Sequence, residues 1–444
     1  NLLVEISTPY SKWYQIDTTS SNGYSRFTAA VPARDDWLIR FTADGKGSQT
    51  ISAADLLLTE FISLEDSGGL DFGYSVLAGL TSPTGFWRGV ASESDKSITL
   101  FPGQENWPDL GSASANSALK ATSVIQKYSF TGELLWQYKP GWETWGGDAS
   151  EDGSLVVFLL HPGITHSGAG ELTLGALDGQ TGQLIWSLAG DRRVFPYLEG
   201  LEAAVSSDGV YVAAGSTQGA LGVFDGDTGA LLWQKETGTF GQIRKLVFSG
   251  EHLYVGSGGG LLSKLSVSDG AGIWESYVGG WPFVMGLSIS ESAGLIAVGA
   301  KSEDTSVIDI ETGDVLWSKQ TGSIDAAISH DGKYIANFGG DIFNARTGVL
   351  VGQTEVNGAA LFSADSQFLI QADRGRIIIS DLSGKVVSEI YDSSDLERGA
   401  GEQANWAYLT ANGATVIVAS RDMYTPSERG VTFWEIGDTP SAPE

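Results

Sequence analysis

One spacing runs the length of this chain and limits what it can fold into. A glycine at a tight turn is followed, four residues on, by the same kind of position, and this happens eight times. The glycines are Gly132, Gly182, Gly229, Gly270, Gly313, Gly348, Gly384 and Gly430. Six of the following positions are tryptophan (Trp136, Trp186, Trp233, Trp274, Trp317 and Trp434), and the other two are Gly352 and Ser388. The clearest copies read Asp178-Gly-Gln-Thr-Gly-Gln-Leu-Ile-Trp186 and Asp225-Gly-Asp-Thr-Gly-Ala-Leu-Leu-Trp233. A fixed period of roughly 35–50 residues means a stack of one supersecondary unit, none of which buries its apolar face alone.

A second landmark precedes each of these turns. Ser-x-Asp-Gly or a relative of it begins at Ser92, Ser150, Ser206, Ser249, Ser290, Ser329, Ser363 and Thr410. Alternating apolar runs such as Val210-Tyr-Val-Ala-Ala follow most of them. The unit therefore reads strand, turn, strand, loop, strand, Thr-Gly hairpin, strand. Four short antiparallel strands per repeat make the blade of a β-propeller. The expectation is an all-β, eight-bladed propeller. It becomes seven-bladed if the first unit, whose landmarks lie 40 residues apart, belongs to the N-terminal region instead.

The local chemistry of the repeat is structural. In Asp-x-x-Thr-Gly the carboxylate caps amides of its own turn, and the glycine takes a positive φ at little steric cost. The tryptophan falls on the next strand, where a large ring with one polar handle suits a half-wet seam between blades. Calcium binding or stacking on sugars is the alternative use. Recurrence in nearly every unit is what a packing device requires.

The repeats occupy residues 81–437, leaving a β-rich N-terminal region, 1–80, and a polar tail, 438–444. Leu3-Val-Glu-Ile6 and Trp13-Tyr-Gln-Ile16 alternate as strands do, and Ala53 to Phe61 is the best helical stretch. The eighth unit reads as finishing its own blade at Thr432-Phe-Trp434. That leaves Leu3, Val4 and Ile6 free to add to a neighbour's sheet edge. With 54 acidic and 26 basic residues, the net charge is −28, which opposes nucleic-acid phosphates and anionic lipid. No run of about 18 apolar residues offers a membrane-spanning helix. Cysteine is absent, which excludes disulfides, thiolate metal sites and cysteine nucleophiles. A start at Asn1 fits either a mature product after signal-peptide removal or a fragment edge.

Asp-x-x-Thr-Gly-x-x-x-Trp at this period resembles the PQQ-like repeat family of β-propellers, over residues from roughly 85 to 436. The resemblance implies either a quinoprotein dehydrogenase or a non-catalytic scaffold of the cell envelope. Quinoprotein dehydrogenases hold their cofactor beneath a ring of two adjacent cysteines, which this chain cannot form. The expectation is therefore a non-catalytic protein without a cofactor, exported to the cell surface, the periplasm or the exterior as a subunit of a filament or envelope layer; a monomeric or carbohydrate-binding scaffold is the alternative, and a divergent quinoprotein-like enzyme the third reading.

No other catalytic constellation stands out. His161 and His166 share one loop but lack further ligands, and His252 and His330 have no evident partner. Asp225-Gly-Asp-Thr-Gly has the opening of a calcium loop without its later glutamate, so calcium is the lesser expectation there. Individuality lies in the loops: Pro102 to Ala121 with Trp107, Pro140 to Gly147 with Trp142 and Trp145, and Ser393 to Asn405. Loops on rigid scaffolds commonly carry binding. Trp107, Trp142 and Trp145, with Leu3, Val4 and Ile6, are the candidate contacts. Expected partners are further copies of this chain, other envelope proteins, or polysaccharide.

Overall fold

In the computed structural model the chain is all β, and among the described residues no helix forms. The described residues are 2–8, 11–19, 38–43, 48–52, 74–81, 86–102, 124–141, 143–161, 173–189, 200–216, 219–236, 241–279, 284–300, 304–321, 325–354, 359–363, 365–373, 376–391, 402–410, 415–422 and 430–436. Among them are nine four-stranded antiparallel sheets.

The N-terminal sheet holds β1 (Leu2–Thr8), β2 (Ser11–Thr19), β3 (Leu38–Ala43) and β4 (Ser48–Ser52) in the order β2-β1-β3-β4. The remaining sheets are the blades. The first comprises β6 (Phe86–Ser92), β7 (Ser97–Pro102), β8 (Ile125–Ser129) and β9 (Leu134–Tyr138). The second runs from β10 (Glu143–Ala149) to β13 (Leu184–Ala189), and the third from β14 (Gly200–Val205) to β17 (Leu231–Glu236). The fourth runs from β18 (Ile243–Ser249) to β21 (Gly272–Tyr277), and the fifth from β22 (Val284–Ser290) to β25 (Val315–Gln320). The sixth runs from β26 (Ala326–Ile328) to β29 (Leu350–Gln353), and the seventh from β30 (Ala359–Phe362) to β33 (Val386–Tyr391). The last contains β34 (Glu402–Leu409), β35 (Thr415–Asp422) and β36 (Gly430–Ile436). First strands of successive sheets touch in chain order, and β34 returns to β6, so the sheets form a ring.

The ring closes in a way the repeat spacing did not suggest. The fourth strand of the last sheet is β5 (Tyr74–Thr81), paired with β36 from Gly430↔Thr81 to Ile436↔Tyr74. Residues 74–81 thus belong to the propeller and not to the N-terminal region. Trp434 stands on the third strand of its sheet, opposite Val76, and Gly430 opens that strand instead of sitting in a hairpin. The apparent eighth Gly-to-Trp spacing is a coincidence of strand length.

Turn chemistry sets the register within each blade. Ser150 Oγ donates to Asp152 at 2.6 Å and accepts from Leu155 N at 3.0 Å. Ser206, Ser329 and Ser363 repeat the pattern toward Asp208, Asp331 and Asp365. Gly209 has φ +72°, which favours glycine. In the hairpins Asp178 accepts from Thr181 N at 2.7 Å and Thr181 Oγ1 at 2.8 Å, and Asp225 and Asp309 do the same with Thr228 and Thr312. These acceptor roles pull all three carboxyls below their ordinary range.

The core lies in the seams between sheets. One cluster joins Val157, Leu159 and Leu174 of the second blade to Ala203, Val212 and Phe224 of the third. Each such aliphatic side chain contributes about 1.5–3 kcal/mol on full burial. At the rim the tryptophans bridge the same seams. Trp186 Nε1 donates to Gly226 O of the next blade at 2.7 Å. A Cβ on Gly229 would stand 2.7 Å from Trp186 Cδ2, so the ring lies directly on that glycine. Trp136 on Gly182, Trp233 on Gly270, Trp274 on Gly313 and Trp317 on Gly348 repeat the contact, each with its indole N–H on a carbonyl of the following hairpin.

The sixth seam is built differently. Gly352 stands where a tryptophan would be, and a Cβ there would lie 2.2 Å from Leu382 O. Backbone meets backbone, and the ring is dispensed with. The last seam has its own clasp, Tyr408 Oη donating to Glu93 of the first blade.

Candidate functional site

The Ser-x-Asp-Gly turns give every first strand a common origin. Four residues before that serine, successive sheets carry Arg88, Gly146, Glu202, Lys245, Gly286, Asp325, Ala359 and Trp406. The first six repeat one pattern twice: a cation, a glycine, then an acid. Arg88 reaches past the second blade to the third, where its Nη1 donates to Glu202 Oε1 at 2.8 Å. Its Nη2 lies 3.8 Å from Asp148 Oδ1, and Asp148 Oδ2 accepts Val205 N at 2.9 Å. Glycine at 146, between the two partners in the ring, adds no side chain at this level.

The second triplet is arranged alike. A Cβ on Gly286 would fall 2.1 Å from Asp325 Oδ1, so the missing side chain leaves the space that this carboxylate fills. Asp325 Oδ1 also accepts Ala326 N at 2.9 Å. Asp325 is open to solvent but ringed by protein. This enclosure pushes its carboxyl up, with the Lys245 charge pulling the other way. Burial likewise pushes Asp148 up against the pull of Arg88. At Arg88 burial works downward, but the Glu202 and Asp148 charges prevail and its pKa rises. The result is a girdle of alternating charge on the innermost strands, in which Arg88 ties the first blade to the third and the Lys245 charge acts on Asp325.

Strand polarity sorts the remaining features onto two faces. First-to-second and third-to-fourth strand turns share one end of each sheet, because neighbouring strands are antiparallel. Ser92 Oγ donating to Ser150 O at 2.8 Å, and Asp331 N to Ser366 Oγ at 3.1 Å, join these ends around the ring. The strand ends flanking Pro102 to Ala121, Pro140 to Gly147, His161 to His166 and Ser393 to Asn405 all belong to the opposite face. Chain topology therefore puts the strand ends that flank these four connections on one side of the ring and the serine and Thr-Gly turns on the other.

The individual candidates are placed as follows. Trp107 and Trp142 lie outside the described residues, as do His166 and the stretch from Ala53 to Phe61. Trp145 is the bulged residue of β10, skipped between Thr144 and Gly146 in the register with β11 (Leu155–His161). Trp87, Leu201, Arg244, Met285 and Asn405 are skipped at the same level of their own first strands. Leu3, Val4 and Ile6 lie on β1, whose two edges are already paired with β2 and β3. Addition of β1 to a neighbour's sheet is thereby corrected: the open edges belong to β2 and β4. Among the described residues no group of three or more potential metal ligands gathers, and no helix is long and apolar enough to cross a membrane.

Sequence reasoning missed the girdle. Its signal was present as a fixed offset from the serine turns, but its members are spread from Arg88 to Asp325 and show no local motif.

Comparison with known proteins agrees with this architecture. A family model described as outer membrane protein assembly factor BamB matches residues 121–335 and, in a second overlapping register, 217–429. Among solved structures, the crystal structure of BamB from Moraxella catarrhalis is similar over 84% of this chain and 100% of its own, at 16% identity and a TM-score of 0.59. A computationally designed protein, Ika8, is similar over 81% of this chain and 99% of its own, at 17% identity and a TM-score of 0.58. At such identities the likeness is one of fold. No curated protein matches the chain.

Proposed function

Because this chain belongs to the BamB family of PQQ-like repeat propellers, we propose that it is a non-catalytic scaffold for protein–protein contact, exported and built into an assembly at the cell surface or in the envelope. The observation that carries this reading is the split between the two faces. One side of a stiff ring is given to repeated turns that hold it together, and the strand ends on the other flank the longest connections within the repeats, where binding commonly resides.

The girdle supports a scaffold over an enzyme. Arg88 and Glu202 meet across the innermost strands at 2.8 Å, so side chains of the chain itself span part of the ring's interior. The absence of cysteine removes the paired-cysteine ring expected of a quinoprotein dehydrogenase. In this reading the protein works without a cofactor, and its partners are copies of itself or other envelope proteins.

Light scattering and negative-stain imaging of native material test the proposal. Particles well above the mass of one chain, 46.9 kDa, are expected. A clean monomer would reject the assembly role. A carbohydrate-binding scaffold is favoured only by Trp145, whose backbone stands at the irregular end of an innermost strand. Glycan binding lost in Trp145→Ala, with the mass unchanged, would select that reading.

A further inference from the structure

Five of the outer strands, in the first, second, third, fifth and sixth blades, expose an aliphatic pair just before the tryptophan position. A bulge puts them there: Leu184 pairs with Leu177 and Trp186 with Ala176, so Ile185 is skipped, and both Leu184 and Ile185 are about half exposed. The same register break recurs in the other blades and is the usual blunting of a sheet edge. Such pairs need no partner.

The sixth blade departs from the pattern in three independent ways. The residue after its hairpin glycine is Val349, where the other hairpins have Glu133, Gln183, Ala230, Ala271, Asp314 and Lys385. Three consecutive aliphatic residues are therefore exposed: Val349 at 61%, Leu350 at 51% and Val351 at 43%. Its hairpin, Asn344 to Val349, is also the one described hairpin with no acidic residue, and it carries Arg346. Finally, Gly352 replaces the tryptophan, so the seventh hairpin packs directly against this strand.

The neighbours on either side carry opposite charge. The fifth hairpin presents Glu311 and Asp314, both exposed, and is linked to the sixth by Trp317 Nε1 donating to Ala345 O at 2.7 Å. The seventh presents Lys385, also exposed. Asp381 in that turn is committed to its own loop, accepting Ser383 N at 2.9 Å and Lys385 N at 3.1 Å. Arg346 is partly committed as well, donating to Ala293 O at 2.6 Å and helping to lower Asp309. Around the rim the strip thus reads acid, apolar, base.

A strip of this kind is complementary to itself. Rotated by a half-turn about the apolar centre, its acidic end meets the basic end of an identical strip, and apolar faces apolar. Two-fold pairing through one self-complementary patch is the commonest arrangement of identical subunits. We propose that a second copy of this chain docks on this strip, Val349–Val351 against the partner's Val349–Val351, with Lys385 facing Glu311 and Asp314 of the partner subunit. The inference rests on the reading that the protein self-associates, and it names the surface and symmetry by which it does so.

The test is sedimentation velocity on the full chain and three variants at matched ionic strength. Val349→Ser and Lys385→Glu should each weaken dimer formation at least tenfold, and raised salt should weaken it in the wild type. Lys385→Glu combined with Glu311→Lys and Asp314→Lys exchanges the charged ends and should restore the dimer. Far-UV circular dichroism checks that each variant is folded. A wild-type chain that stays monomeric at every concentration overturns this inference together with the assembly reading. Association that persists unchanged in Val349→Ser and Lys385→Glu overturns the strip alone. Failure of the charge exchange to restore a dimer lost in Lys385→Glu also rejects the two-fold geometry.

Discussion

If the indole of Trp186 is a staple resting on Gly229, the two residues should not contribute independently. Gly229 has φ +69°, and an added Cβ would meet Trp186 Cδ2 at 2.7 Å and Cε3 at 2.9 Å. Relaxed carbon contacts lie near 3.5–4.0 Å. Gly229→Ala should therefore cost about 1–2 kcal/mol for the left-handed backbone. Displacing the ring adds roughly 1–3 kcal/mol of overpacking. Trp186→Ala removes the ring and its bond to Gly226 O, for about 3–5 kcal/mol. In the double variant the backbone term remains but the clash is gone. The pair should cost less than the sum of the singles by roughly the overpacking term, about 1–3 kcal/mol. Trp186→Phe keeps an aromatic ring but loses the N–H and part of the ring volume, and stranding the carbonyl alone should cost about 1–3 kcal/mol. Urea unfolding followed by far-UV circular dichroism compares all four variants with the wild type. Additivity within about 0.5 kcal/mol would show that the ring does not bear on Gly229, and the staple account would be wrong.

Four further outcomes follow from the same geometry. Arg88→Met should remove the guanidinium that Asp148 and Glu202 share and cost about 2–4 kcal/mol in thermal or urea unfolding, and adding Glu202→Leu should recover part of that loss. Asp178, Asp225 and Asp309 are lowered in the folded state, so their contribution is present above about pH 4 and is lost as pH falls through the lower folded values, whereas raised Asp148 and Asp325 oppose folding more as pH rises. Melting temperature against pH should accordingly fall less steeply in acid for Asp309→Asn than for the wild type. Hydrogen exchange should be faster in β33, beside seams without an indole, than in β17, and equal protection would refute a rim-stapled arc. Removing residues 1–73 should leave a closed ring, while removing 1–81 takes β5 away and should produce aggregation, read by size-exclusion chromatography.

The sequence carried the blade more clearly than the ring. Ser-x-Asp-Gly and Asp-x-x-Thr-Gly are local devices: each satisfies its own amides within a few residues, so their spacing states the order of strands directly. Closure is non-local. β36 and β5 meet because one strand edge is unpaired, and nothing in Gly430 to Trp434 announces that. The missing Asp-x-x-Thr ahead of Gly430 was the available clue, since Pro426 to Arg429 cannot make that cap. Leu3, Val4 and Ile6 illustrate the same limit. Their alternation predicts a strand but is silent on whether its edges are taken. The girdle was legible in principle through its offset from the serine turns. It went unread because cation and acid lie more than a hundred residues apart, as with Arg88 and Glu202. Gly352 shows the converse: what looks like decay of a motif is a requirement of the backbone packed against it.

The strand that completes the last sheet has a temporal consequence. β5 is made early and β36 about 350 residues later. At a ribosomal pace of about 5–20 residues per second, the gap lasts on the order of 20–70 s. A chain that folds as it emerges is for that interval an arc with a gap, holding one strand in reserve for a partner not yet synthesised. Molecules emerging side by side then compete for each other's reserved strands, and the outcome depends on crowding at the site of synthesis as much as on the finished contacts.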